Sequence, residues 1–159
     1  MEPPSNSPVE ILTRVTATLD DALLIKCVSV ALADHELPIE QVTVLITDDE
    51  EVRSLNRQYR SIDEPTDVLT FDYGAPDSLI GDIAISLPYA ERQAAARGVS
   101  LRHEVAFLAI HGALHLAGFD DREPEDRAAM VAEMNRVAAL VGIPGDPEWS
   151  SLLHAEVQA

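Results

Sequence analysis

Cysteine is almost absent. Cys27 is the only one in 159 residues, so no disulfide can close within the chain, and the composition suits a reducing, cytoplasmic compartment. Cys27 sits on a helical pattern beside Lys26 and Val28, where a core or boundary thiol is expected rather than a nucleophile. Cations are scarce too: 11 Lys and Arg stand against 28 Asp and Glu, a formal net charge of −17. Nonspecific nucleic-acid binding is driven by phosphate neutralisation, so a chain this acidic is a poor general binder. A local basic cleft stays open, because the field depends on where the charges sit. Three Phe, three Tyr and one Trp leave little surface for stacking bases. No apolar run of about 18 residues occurs, so no membrane partner is expected. There is no P-loop and no GxGxxG. The start, Met1 to Pro8, is acidic and proline-rich, unlike a secretion signal.

What is present points to a globular fold. Hydrophobic residues make up 47% of the chain, enough for one domain over residues 1–159 with a proper core. Residues 1–8 and 150–159 are expected to fray. Val9 to Val15 reads as a strand. Thr18 caps a helix carrying Leu23, Leu24, Cys27, Val28 and Ala31 and running to about His35, a solvated cation at the helix end. Val42, Val44 and Ile46 alternate in a second strand. Thr47 and Glu50 form a capping box, and Asp48, Asp49, Glu50 and Glu51 suit the positive end of a helix bearing Val52, Leu55 and Tyr59. A polar loop from Arg60 to Asp67 leads to a strand at Val68–Phe71. A turn and a strand at Gly81–Ser86 follow, and these two strands are expected to pair antiparallel. Pro88 begins a helix that ends at Gly98, and Ser100 caps the next. Pro124 opens a last helix, lined by Met130, Met134, Val137 and Val141, that stops at Gly142. Part of the tail around Trp149 is expected to pack; His154 there has no companion. The element order is βαβαββααα.

The helix after Ser100 carries the chemistry. His111 and His115 are four apart, which puts them on one helical face about 6 Å apart along the axis. Two imidazoles so placed can bind one metal ion from the same side. They lie in an apolar stretch, Val105 to Ile110, where polar groups need partners. Gly118 ends the helix and lets the chain return Asp120 or Asp121 towards the histidines. Two nitrogens and one oxygen leave a fourth position for water, as a hydrolytic metal requires. Gly112 stands where HExxH metalloproteases carry their glutamate base, so that motif is absent. A glycine there would admit another backbone or a substrate. His103, two turns earlier, is too far along the axis to share the ion and is expected at the surface or its boundary.

Three separated segments resemble one family. His111-Gly-Ala-Leu-His115-Leu-Ala-Gly118-Phe119-Asp120-Asp121 is similar to H-G-x-L-H-L-x-G-Y-D-H of the YbeY endoribonuclease family. The stretch from Leu55 to Phe71 (LNRQYRSIDEPTDVLTF) resembles its L-N-x-x-Y-R-x-x-D-x-P-T-D-V-L-S-F, and Gly81 to Ser86 its G-D-I-x-I-S strand. The likeness covers roughly residues 42–140. It implies an α+β fold, a small four-stranded mixed sheet packed with about five helices. It implies a divalent metal, most often zinc (Zn2+), and cleavage of single-stranded RNA in ribosomal RNA maturation and ribosome quality control. The implied partners are ribosomal RNA and the ribosome or its associated proteins, with no DNA. His111 and His115 match the first two ligand positions, and Arg60 matches the arginine of the active cleft. The family's third ligand is a histidine; that position here is Asp121. A carboxylate can ligate zinc at about 2.0–2.2 Å, lowers the net charge the metal presents, and suits harder ions such as Mn2+ better. Arg60 would offer a planar fork to phosphate. Thr66, Asp67 and Asp82 either orient water and ligands or only cap turns and strand ends. Two other readings fit the same residues: a metal-dependent hydrolase of amides or other small molecules, and a non-catalytic ribosome-associated metal protein.

Overall fold

Aliphatic and β-branched residues at alternate positions build four strands: β1 (Val9–Thr13), β2 (Ile39–Thr47), β3 (Val68–Asp72) and β4 (Leu79–Ser86). In the computed structural model, which describes residues 7–150, they form one sheet in the order β1-β2-β4-β3. β1 and β4 both run parallel to β2, whereas β3 is antiparallel to β4, with Thr70 opposite Ile83. The sheet is therefore mixed, as expected, and β3 is an edge. β4 starts two residues before Gly81, because Leu79 donates its backbone N–H to the Pro38 carbonyl at 2.8 Å. Ser7 and Pro8, at the edge of the segment expected to fray, are hydrogen-bonded: the Pro8 carbonyl accepts from Val42 N–H at 2.8 Å, and the Ser7 hydroxyl accepts from Val9 N–H at 3.2 Å. The remaining residues expected to fray, 1–6 and 151–159, and His154 with them, lie outside the described residues.

Five helices complete the order: α1 (Asp21–Ala31), α2 (Asp49–Arg60), α3 (Leu87–Arg97), α4 (Leu101–Leu116) and α5 (Pro124–Val141). Ser100 caps α4 by accepting from His103 N–H at 3.1 Å, and α3 and α5 stop at Gly98 and Gly142. Two caps fall later than the sequence suggests. Asp20, not Thr18, caps α1, following Leu19, which packs on the core. Asp48, not Thr47, caps α2, accepting from Glu51 N–H at 2.9 Å. Thr47 is still paired with Ser86 in the sheet, so its backbone is not free to begin a helix; its hydroxyl donates to Glu51 instead, at 2.6 Å. The acids of this turn are structural: Asp49 pairs with Arg92 at 2.9 Å and Glu51 with Arg14 at 2.6 Å. α1 ends at Ala31, short of His35, whose Nδ1 accepts from Leu37 N–H at 3.1 Å.

Alternation gives the sheet two apolar faces. Leu45, Leu69, Phe71 and Ala84 meet Val52 and Leu55 of α2 on one side. Val42, Val44, Ile46, Ile83 and Ile85 lie in the main core on the other. There α4 packs against β3 and β4, with α1, α3 and α5 around it. Surrounded in this way, α4 is apolar on all sides, and nearly every residue from His103 to Leu116 is buried. Cys27 and the Met130, Met134, Val137 and Val141 stripe join the same core. Burial pushes the Cys27 thiol up to about 12.

Gly112 sets how closely α4 lies on the sheet. A Cβ there would sit 2.6 Å from Ile83 Cγ2 and 3.3 Å from Thr70 Cγ2. The space that glycine opens is thus filled by the sheet's own side chains, not by a substrate. Gly112→Ala gains about 1 kcal/mol of helix propensity but must lift the helix. A net loss of about 1–2 kcal/mol in urea unfolding is expected from overpacking; an unchanged stability would show that the contact yields freely.

A buried polar unit joins α3 to α4. Glu104, fully buried, takes an N–H from Gln93 at 2.9 Å, and Arg97 Nε lies 3.0 Å from its other oxygen. Burial pushes the Glu104 carboxyl from its usual 4.5 up to about 7, against the pull of Arg97. Its folded value is above its unfolded one, so its contribution to stability is full below the unfolded value. That contribution is lost as pH rises through the folded value. Glu104→Gln should therefore gain on wild type by on the order of 1–3 kcal/mol between about pH 4.5 and pH 8, read by urea denaturation at each pH. Parallel stability curves would contradict this.

Candidate metal centre

The end of α4 is a tight reversal. Ala117 is the cap, and Gly118 follows with φ +105°, a left-handed conformation that glycine adopts without strain. Phe119 N–H bonds the Leu114 carbonyl at 2.9 Å, and Gly118 N–H bonds that of His115 at 3.0 Å. These are the two bonds of a Schellman ending. The turn has two results. It places the Phe119 carbonyl 3.1 Å from His115 Nδ1; a carbonyl only accepts, so Nδ1 is the donor there and Nε2 is the nitrogen turned to the shared point. It also brings the next residues back over the last turn of α4.

Asp121, not Asp120, arrives at the histidines. His111 Nε2 and His115 Nε2 are 3.1 Å apart, and Asp121 Oδ2 lies 3.4 Å from each. A tetrahedral ion bonded at about 2.0–2.1 Å needs ligand separations of about 3.3–3.4 Å. The three atoms therefore fit the edges of one coordination shell, and among the described residues they form the His, Cys, Asp and Glu cluster that could hold a metal ion. Hydrogen bonding to His111, and then to His115, holds the Asp121 carboxyl well below the usual carboxylate range, in the ionised form a ligand needs. The side chain of Asp121 is 39% exposed while that of His111 is 11% exposed, so one side of the cluster faces solvent. Asp120 is turned to Arg122, with Nη2 2.7 Å from its carboxylate.

Other candidates lie apart. Arg60 is the last residue of α2, which covers the opposite face of the sheet from α4. Arg60 is exposed, and its side chain makes no hydrogen bond or ion pair among the described residues. Asp67 Oδ1 accepts from Val68 N–H at 2.7 Å and from the Thr66 hydroxyl at 3.3 Å, at the entry to β3. Asp82 accepts from the Tyr73 hydroxyl, an interaction that raises the phenol to about 12. His103 is buried rather than superficial: it stacks on Phe107, and its Nε2 donates to the Pro144 carbonyl at 2.9 Å. The apolar stretch after α5 folds back over α4 and covers it.

That stretch also supplies a neighbour which motif spacing does not reveal. Trp149, buried, has its ring centroid 5.1 Å from that of His111, and the Arg97 guanidinium lies 5.0 Å over the indole. Its being the sole tryptophan in a stretch of irregular structure was the one available signal. A cavity of about 490 Å³ opens beside His111 and Asp121, between α5 and this segment. Among the described residues, no helix is long and apolar enough to cross a membrane.

The family model described as Endoribonuclease YbeY matches residues 10–142. Endoribonuclease YbeY of Desulforamulus reducens is 43% identical over 115 residues, covering 67% of this chain and 75% of that protein. The namesake from Roseiflexus castenholzii is 39% identical over 147 residues, covering 85% and 92%. A Thermotoga maritima protein with a determined solution structure shares the fold with a TM-score of 0.59 at 29% identity, over 84% of this chain and 88% of that one.

The cluster makes a direct prediction about metal content. Asp121→Ala should lose bound metal, whereas Asp120→Ala should keep it and Asp121→His should restore a three-ligand site. Elemental analysis of each protein, purified without added metal, reads the outcome. Loss in Asp120→Ala alone would reverse the assignment.

Proposed function

The chain belongs to the YbeY endoribonuclease family, and from that premise we propose that it is a metal-dependent single-strand endoribonuclease of ribosomal RNA maturation and ribosome quality control. The observation that carries this reading is the single point shared by His111, His115 and Asp121 at ligand-to-ligand separations of 3.1 and 3.4 Å. The donor set of two imidazoles and a carboxylate suits zinc, with manganese better tolerated than in an all-histidine site. The half-exposed carboxylate supports an open catalytic position rather than a closed structural site. The cation, when bound, supplies Lewis acidity towards a phosphate oxygen and lowers the pKa of water.

The chain's own residues do the rest. The Phe119 carbonyl holds the His115 ring with Nε2 facing the shared point. His111 is gripped between the core and Trp149. Arg60, exposed and unengaged, offers two parallel N–H donors to a phosphate of the RNA. It lies across the edge strand β3 from the cluster, so it acts on the strand as that strand passes the sheet edge. The cytoplasm and the ribosome are the proposed setting.

Cleavage of a short single-stranded RNA should cease on chelation and return with zinc. Arg60→Ala should lower kcat/KM by about ten- to a hundred-fold, as loss of a charge-stabilising donor does. An unaltered rate would remove Arg60 from the scheme, and no cleavage by the zinc-loaded wild type would refute the reading itself.

A further inference from the structure

We propose that the cavity beside His111 and Asp121 is a subsite for one unpaired nucleotide of the RNA, with Arg127 holding its phosphate and an apolar floor receiving its base. The inference rests on the RNA-cleaving function proposed above and adds where the strand sits. The cavity's volume, about 490 Å³, lies within the range of small-molecule sites, ~300–1,000 Å³. It is continuous with the metal centre, since His111 and Asp121 line both.

Arg127, like Arg57 and Arg60, has no carboxylate partner among the described residues. In a chain of net charge −17, Arg14, Arg53, Arg92, Arg97, Arg102, Arg122 and Arg136 are each paired with a carboxylate. Arg127 donates only to neutral acceptors. Its Nη1 bonds the Asp121 carbonyl at 3.2 Å and the Arg122 carbonyl at 2.9 Å. These bonds fix the guanidinium to the backbone of the residue whose carboxylate faces the histidines. Its Nε and Nη2 have no partner among the described residues. It is an exposed, preoriented fork at the mouth of the cavity, suited to a phosphate oxygen pair.

The remaining walls define the rest of the ligand. Ala128, Val131, Ala132 and Pro147 present accessible apolar surface, laid over the buried Met130, Met134 and Trp149. Asn135 also lines the cavity, but its amide is committed: Nδ2 donates to the Val131 and Asp146 carbonyls, and Oδ1 accepts from Asp146 N–H. The site thus offers a flat apolar body a floor and offers an anion one fork. An unpaired nucleotide has this combination, and an apolar floor takes any base. Base pairing would deny it entry, so the subsite selects single strands.

The test uses the zinc-loaded protein and a 2′-O-methyl hexauridylate, which cannot be cut through its own 2′-oxygen and whose integrity is checked after each titration. Trp149 is the only tryptophan, so its emission reports the cavity alone. Its emission should change on binding. Arg127→Ala should weaken binding about ten-fold and lower the slope of log K against log salt by about one. Zinc content and melting temperature should stay at wild-type values, and Arg127→Lys should keep the salt slope. A residue that only staples the turn would alter zinc content or melting and leave the slope untouched. If wild type cleaves RNA but Arg127→Ala binds with the same affinity and slope, or Trp149 does not respond, the subsite is wrong and the RNA function stands. If wild type neither cleaves single-stranded RNA nor binds the hexamer, the proposed function has failed and the subsite falls with it.

Discussion

The contact between Gly112 and Ile83 governs the geometry of everything above it. A helix buried on all sides can be placed only by what it touches, and here it touches the sheet through a residue with no side chain. The absent Cβ, which would lie 2.6 Å from Ile83 Cγ2, lets the helix axis sink towards β3 and β4. His111 precedes this glycine and His115 follows it by less than one turn. Both imidazoles are therefore carried by backbone that the sheet holds in place, and close packing passes little freedom to them.

Precision at the other end comes from hydrogen bonding rather than packing. The reversal at Gly118 satisfies carbonyls that the helix end would otherwise leave open. It also delivers one acceptor, the Phe119 carbonyl, to His115 and one carboxylate, that of Asp121, to both rings. Donor orientation, protonation and the third candidate ligand thus come from five consecutive residues. A centre built so locally needs the rest of the chain for walls rather than for ligands. α5 and the segment bearing Trp149 provide those walls.

Much of this could be read from residue order. Residue patterns located four strands and five helices, although the inner strands are covered on both faces and α4 on every face. The histidine pair was visible because a helix repeats every 3.6 residues. Asp120 and Asp121 were indistinguishable by spacing; the family likeness favoured Asp121, and the turn's hydrogen bonds bring that side chain in. Caps shifted where tertiary demands competed: Thr47 was retained by the sheet, and Asp48 took the helix end. The buried His103, the Glu104–Arg97 pair and the place of Trp149 beside His111 were illegible, since each depends on how separate elements pack together. The same holds for Arg60, whose helix turns out to cover the face opposite the histidines.

One sealed side chain has a consequence for how the protein withstands oxidants. Cys27 is wholly buried with its thiol pushed up to about 12, so almost no thiolate exists for peroxide or a disulfide to attack. The His–His–Asp cluster contains no sulfur. A burst of oxidant that strips metal from thiolate sites would find no thiolate ligand here to attack.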